Sequence, residues 1–194
     1  TMSNDIVNEL NKYVDQIINN KEKSKKLDYG KMLAGNVQQE FLLEKEFSVL
    51  SGWESFLKEN VEEWIFKSLN KKITEFNMID TWIVRQFEND YNPLHSHGGH
   101  ISGVGYLKLP NDFGKPSQDS KIENCNGNLQ LVHGSSMFLS PIILNIVPKV
   151  GEFYFFPNYL MHGVYPFKNK NSERRSISFN ATIDEDIYNV HGKS

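Results

Sequence analysis

In the stretch Tyr91-Asn92-Pro93-Leu94-His95-Ser96-His97-Gly98-Gly99-His100, two histidines stand two residues apart. If Leu94 to His97 is extended, side chains alternate, and His95 and His97 project from one face about 6.6 Å apart along the strand. Two imidazoles so placed can lean onto one cation. Gly98 and Gly99 permit a tight turn, after which Ile101 to Leu109 reads as a return strand and the pair as the mouth of a hairpin. A third imidazole, His162, follows the aromatic strand Gly151 to Phe156, Pro157 and a short turn, and can face the same interior. Three protein ligands on one side of an ion leave open positions opposite, which a catalytic metal site needs and a structural one does not. Taken singly, each histidine reads equally well as a loop residue, and His162 as one hydrogen-bonded within its turn.

A second feature suits an anion. Along Arg174-Arg175-Ser176-Ile177-Ser178-Phe179-Asn180, alternation puts Arg174, Ser176, Ser178 and Asn180 on one face and Arg175, Ile177 and Phe179 on the other. An inward arginine and serine two apart can grip a carboxylate, the charged hydrogen bond contributing roughly 1.5–3 kcal/mol. Lysine is this chain's routine cation and Arg85, Arg174 and Arg175 are its only arginines, so the guanidinium fork is used sparingly. The competing reading pairs Arg174 with an acid such as Asp184 or Glu152. Of the remaining histidines, His100 is either a substitute ligand for His97 or a rim residue, His133 ends a strand and meets solvent, and His191 lies in a tail from 188 to 194. Asp90 or Glu88 can supply a carboxylate if the strand register differs.

These residues need elements to hold them. Ile6, Val7, Leu10, Val14, Ile17 and Ile18 form a stripe of helical period over Asn4 to Asn20, followed by a charged linker from Lys21 to Lys26. Asn36 to Glu46 fits a weak helix or an irregular strand. A second long helix opens on a Ser51/Glu54 capping box and buries Trp53, Phe56, Leu57, Trp64, Ile65 and Leu69. After Lys72 the grammar changes to short β-like runs: Thr81–Phe87, Leu94–His97, Ile101–Leu109, Asn128–His133, Leu144–Val147, Glu152–Phe156, Met161–Tyr165 and Arg174–Ile183. Pro110 to Asn126 is a long polar loop. The expectation is an α+β, mainly β chain forming one domain over 1–194, with residues 1–72 as helical support on one sheet of a sandwich or barrel built from 73–187.

The chain has 194 residues and a formal charge of -3, which gives no pull toward nucleic acid or an anionic membrane. Its one cysteine, Cys125, cannot form an internal disulfide, no charged-then-apolar leader is visible, and no apolar run nears the ~20 residues of a membrane span. A protein of the reducing cytoplasm is expected, acting on a small, neutral or protein substrate.

Four motifs in order, Asn92 to His97 (N-x-x-H-x-H), Ser102 to Leu107 (S-G-V-x-Y-L), Phe156 to His162 (F-P-x-x-x-x-H) and Arg174 to Asn180 (R-x-S-I-S-F-N), resemble the iron(II) and 2-oxoglutarate-dependent oxygenases, most closely a phage and bacterial branch with an H-x-H…H pattern. The resemblance covers about half the chain, Thr81 to Ile183. It implies a double-stranded β-helix of the jelly-roll, cupin-like kind. It implies that His95, His97 and His162 bind Fe(II), and that Arg174, Ser176 and Tyr106 hold the distal carboxylate of the co-substrate 2-oxoglutarate. Val104 and Val164 then border its methylenes, and Asn92 and the 110–126 loop form the rim for an unidentified prime substrate, a protein side chain or small metabolite. The implied reaction uses O2 to hydroxylate an unactivated C–H bond, releasing succinate and CO2. One departure stands out: most of that superfamily has a carboxylate where this chain has His97, which leaves the centre one unit more positive. The rivals are a cupin, with His95-Ser96-His97 and Gly151…Pro157…His162 as partial motifs, and a non-catalytic β-sandwich binding through Tyr154, Tyr159 and Tyr165. A structural zinc site is disfavoured by the lone cysteine.

Overall fold

The structure, a computed structural model, describes residues 1–190. Helix α1 (Asn4–Asn19) is capped by Ser3, whose hydroxyl accepts the Ile6 N–H at 3.2 Å, and it buries Val7, Leu10, Tyr13, Val14 and Ile17. The expected charged linker is instead a short helix, α2 (Lys21–Lys26), because the Asn20 side chain caps it through Lys23 N–H and three lysines near its C-terminus suit the helix dipole. The undecided region resolves into strand β1 (Gln39–Leu42) followed by helix α3 (Lys45–Leu50).

Helix α4 (Trp53–Leu69) does not begin on the expected capping box. Ser51 ends α3 and its hydroxyl turns back to the Ser48 carbonyl, while Gly52, at φ 76°, supplies the left-handed step that lets the chain re-enter a helix. The buried row is Trp53, Leu57, Val61 and Ile65, one every four residues, so Val61 joins the face and Trp64 sits at its edge. Each buried aliphatic side chain of that row contributes about 1.5–3 kcal/mol. Trp53 also donates its indole N–H to Thr81 Oγ1 at 3.0 Å, tying the helix to the sheet below.

Among the described residues nine strands form two antiparallel sheets, against about eight strands expected. The first has the order β1-β2-β9-β4-β7, with β2 Phe76–Gln86, β4 Ile101–Lys108, β7 Phe153–Pro157 and β9 Arg174–Ile183. The second has the order β3-β8-β5-β6, with β3 Asn92–His95, β5 Leu129–Val132, β6 Ile143–Ile146 and β8 Met161–Val164. Helices α1 and α4 cover the outer face of the first sheet, where Leu10, Val14, Trp53 and Leu57 share one core with Ile83, Ile177 and Phe179. A smaller cluster of Val104, Tyr106, Leu129 and Phe156, with Leu131, Ile146 and Val164 packed on it, joins the two sheets. A last helix, α5 (Glu185–Tyr188), follows β9; His191 lies outside the described residues.

The hairpin expected around the histidine pair is not formed. β3 pairs with β8 in the second sheet and β4 with β7 and β9 in the first, so the chain crosses between sheets over residues 96–100. Gly99 makes that crossing possible: it stands at φ +84°, and a Cβ there would lie 2.9 Å from the Ala181 carbonyl oxygen. Among the described residues no helix is long and apolar enough to cross a membrane.

Candidate active site

Strand pairing brings the distant histidines together. His95, at the end of β3, is the register partner of His162 on β8. His97 lies just beyond the strand, its backbone N–H bonded to the Asn158 carbonyl at 3.0 Å, and Asn158 Nδ2 in turn bonds the His97 carbonyl. The result is a cluster in which one ring nitrogen from each of His95, His97 and His162 lies within 4.8 Å of the others. His97 Nε2 and His162 Nε2 are 3.1 Å apart.

Backbone carbonyls set the ring orientations. His95 Nδ1 bonds Pro93 O at 2.8 Å and His162 Nδ1 bonds Leu160 O at 2.9 Å. A carbonyl only accepts, so both Nδ1 atoms carry the proton and both Nε2 lone pairs face the cluster. Burial, with the neighbouring imidazoles adding to it, pulls the His97 pKa down to about 3. Burial likewise lowers that of His162, to about 4, against the Leu160 hydrogen bond that raises it. Both rings are therefore neutral at pH 7, the state in which imidazole binds a cation. His100 is not part of the cluster: its ring stacks on Tyr188 and bonds the backbone of Ile183.

The cluster opens into a cleft between the sheets, lined by Trp82, Val84, Val104, Val164, Arg174 and Ser176 among others. Arg174 is 1% exposed. It does not pair with Asp184, which accepts from Thr74 and Glu75, or with Glu152, which binds Tyr154 and Lys149. Instead Nη1 donates to Gln86 Oε1 and, at 3.4 Å, to Ser176 Oγ. Arg175 turns to the helix side, to Glu173, Asn11 and Asp15, as the alternation predicts.

Arg174 Nε and Nη2, the Tyr106 hydroxyl and Gln86 Nε2 are buried without a hydrogen-bond partner. Burial opposes the charge on Arg174, and burial raises the Tyr106 pKa although the Arg174 charge lowers it. A buried guanidinium with idle donors, beside a hydroxyl and an amide N–H that are also idle, is the complement of a carboxylate. The residues thus fit both a divalent cation and an acid bound beside it.

Sequence reasoning missed the cleft residues Trp82 and Glu40, and Gln86 behind Arg174. Trp82 lies 5.4 Å from the His97 ring, centroid to centroid, and Gln86 anchors Arg174. Both follow from the alternation of Trp82, Val84 and Gln86 once that strand is granted. Glu40 belongs to β1, which sequence left unresolved. Asn92 lines the cleft as expected, whereas the 110–126 loop contributes no lining residue. Tyr159 and Tyr165 are exposed, whereas Tyr154 is half-buried and donates its hydroxyl to Glu152.

Residues 80–180 match a sequence family described as "Putative 2OG-Fe(II) oxygenase". No curated protein matches the chain. Among solved structures, the chain is similar to the viral collagen prolyl hydroxylase of Paramecium Bursaria Chlorella virus-1 in a 2OG complex, at 17% identity over 91% of each chain with a TM-score of 0.57. It is also similar to HygX from Streptomyces hygroscopicus with nickel and 2-oxoglutarate bound, at 10% identity over 95% of this chain and 80% of that one, with a TM-score of 0.59. A Pseudomonas putida prolyl-4-hydroxylase is similar at 14% identity, over 92% and 88% of the two chains, with a TM-score of 0.55.

Proposed function

Because the chain belongs to the 2OG-Fe(II) oxygenase family, whose members use iron(II), 2-oxoglutarate and O2, we propose that His95, His97 and His162 are its iron ligands and that Arg174, Ser176 and Tyr106 hold the far carboxylate of 2-oxoglutarate. In that reading the two sheets are the halves of a double-stranded β-helix, and the helices of residues 1–72 belong to the same domain. Bound in the cleft, the iron, co-substrate and oxygen supply the oxidising power to hydroxylate an unactivated C–H bond, with succinate and CO2 released.

The protein's own share is geometry and charge. The Pro93 and Leu160 carbonyls hold two imidazoles in one tautomer, so the metal meets lone pairs already aimed. Burial keeps His97 and His162 unprotonated, so no proton must be displaced from those rings near neutral pH. Arg174 fixes the far end of the dicarboxylic acid, Val104 and Val164 flank its methylenes, and the opposite end is left to reach the imidazoles. The prime substrate is a protein side chain or a small metabolite.

One observation carries the assignment: a fully buried guanidinium with two unpaired nitrogens shares a cleft with three converging imidazoles. A cupin-type metal site or a sugar-binding sandwich gives that guanidinium no task. Calorimetry with Mn(II) and then 2-oxoglutarate tests it, alongside succinate formation with Fe(II) in air. His162→Ala should lose metal binding and turnover together, whereas Arg174→Met should keep the metal and lose the acid. Retained turnover in His162→Ala overturns the assignment.

A further inference from the structure

Glu40, on β1 opposite Val84, is 4% exposed, yet it lines the same cleft as the imidazole cluster. Among the described residues its carboxylate has neither a hydrogen-bond donor nor an ionic partner. The charge that reaches it is Asp28, of its own sign, and burial together with Asp28 raises the Glu40 pKa to about 7. Arg85, whose strand pairs with β1, is committed to Glu173 and Gln39, and Arg174, although two of its nitrogens are unpaired, makes no hydrogen bond or ion pair with Glu40. A second acceptor sits beside it, since Asn92 Oδ1 is buried without a partner. Both oxygens converge on Gly35: a Cβ there would lie 2.7 Å from Glu40 Oε1 and 3.1 Å from Asn92 Oδ1. The missing side chain is what leaves the two acceptors room to stand together. A buried carboxylate and a buried amide oxygen with no donor between them, the carboxylate having a second one, Asp28, close by, suit a donor that carries positive charge.

We propose that Glu40 and Asn92 form a subsite for a protonated nitrogen, an ammonium or guanidinium, on the molecule that this enzyme oxidises. The subsite would seat the cation at β1 and turn a neighbouring C–H toward the imidazole cluster. The proposal rests on the cleft being the active site.

The test uses protein loaded with Mn(II) and 2-oxoglutarate without oxygen, and four probes: Nα-acetyl-lysine and Nα-acetyl-arginine methylamides with their uncharged counterparts built on norleucine and citrulline. Broadening of probe proton resonances by Mn(II) reports binding in the cleft. The lysine or the arginine probe should be preferred over its counterpart by about tenfold, as one charge-assisted hydrogen bond gives, and Glu40→Gln should abolish the preference. No preference for either charged probe, or one that survives in Glu40→Gln, overturns the proposal. Since the carboxylate has no partner to lose, Glu40→Gln should melt no lower than the parent protein; a lower melting temperature marks Glu40 as a structural acceptor and also overturns it. Failure of the underlying reading shows separately, as absent Mn(II) or 2-oxoglutarate binding by the parent, and removes both.

Discussion

The guanidinium carbon of Arg174 lies 5.1 Å from the centroid of the Tyr106 ring, and the Tyr106 hydroxyl and two Arg174 nitrogens are left with no acceptor. The ring face steadies the cation without neutralising it. Replacing Arg174 with methionine should therefore weaken 2-oxoglutarate binding about 10- to 100-fold, the loss of a charge-assisted hydrogen bond, and leave Mn(II) affinity unchanged. The same comparison can be read by heat: 2-oxoglutarate should raise the melting temperature of Mn(II)-loaded parent and shift Arg174→Met far less. An equal shift in both would show that Arg174 does not meet the acid.

Gln86 governs how much of the Arg174 charge remains free. Its Oε1 accepts from Arg174 Nη1, its Nε2 has no partner, and its register partner on β9 is Arg174 itself. Gln86→Glu would place a carboxylate in that contact and neutralise the guanidinium in advance. We expect a higher melting temperature without ligands and about tenfold weaker 2-oxoglutarate binding, measured by calorimetry. Stronger binding in Gln86→Glu would contradict the anion-site assignment.

At the imidazole cluster, His97 is the position that departs from the common carboxylate. Its Nε2 is 3.1 Å from that of His162, so the pair share one point in space. His97→Ala should cost more Mn(II) affinity than the about 10–100-fold typical of losing a partner outside the coordination sphere. His97→Asp should recover much of that loss, because it returns an anionic ligand of the type such centres use. Titration of Mn(II) into the three proteins decides this, and equal affinity in parent and His97→Ala would remove His97 from the site.

The parts of the site legible in sequence are those set by a period of two. The face carrying Arg174, Ser176 and Ser178 and the opposite face of Arg175, Ile177 and Phe179 follow from alternation alone, and both line up as expected against cleft and helices. Which strands pair is not a local property. The glycine-rich segment after His97 reads as a hairpin turn, but the chain uses it to change sheets, since Gly99 must pass against the Ala181 carbonyl contributed by β9. Glu40 was hidden for a related reason. β1 is four residues long, and its pairing with Trp82 to Arg85, with a bridge from Phe41 to Asp28 on its other edge, makes it a strand. The α3–α4 junction misled because Ser51 and Glu54 satisfy a capping pattern, while Gly52, between them, takes the left-handed conformation that ends one helix and opens the next.

Next to the strand that carries Arg174 lies an ionic cluster with its own pH signature. Arg85 and Arg175 are direct cross-strand partners, a like-charge pair that would repel without Glu173. Glu173 Oε1 accepts from Arg85 Nε at 2.5 Å and Arg175 Nε at 2.9 Å, while Oε2 accepts from Arg175 Nη2 and Lys108 Nζ. Burial pushes the Glu173 pKa up, but the two guanidiniums outweigh it and hold the carboxyl at about 2. A carboxyl whose folded pKa lies below its unfolded value contributes its full stability above the unfolded value, about 4.3, and loses it as pH falls toward 2. Urea unfolding at pH 7 and at pH 2 should show this as a loss that Glu173→Gln lacks. At pH 7 that variant should be less stable by about 3–5 kcal/mol, since it leaves two buried cations facing each other, and the gap to the parent should narrow as the pH approaches 2. Because Arg174 adjoins both partners, Glu173→Gln should also weaken 2-oxoglutarate binding at pH 7, and an unchanged affinity would show that β9 keeps its register without the cluster.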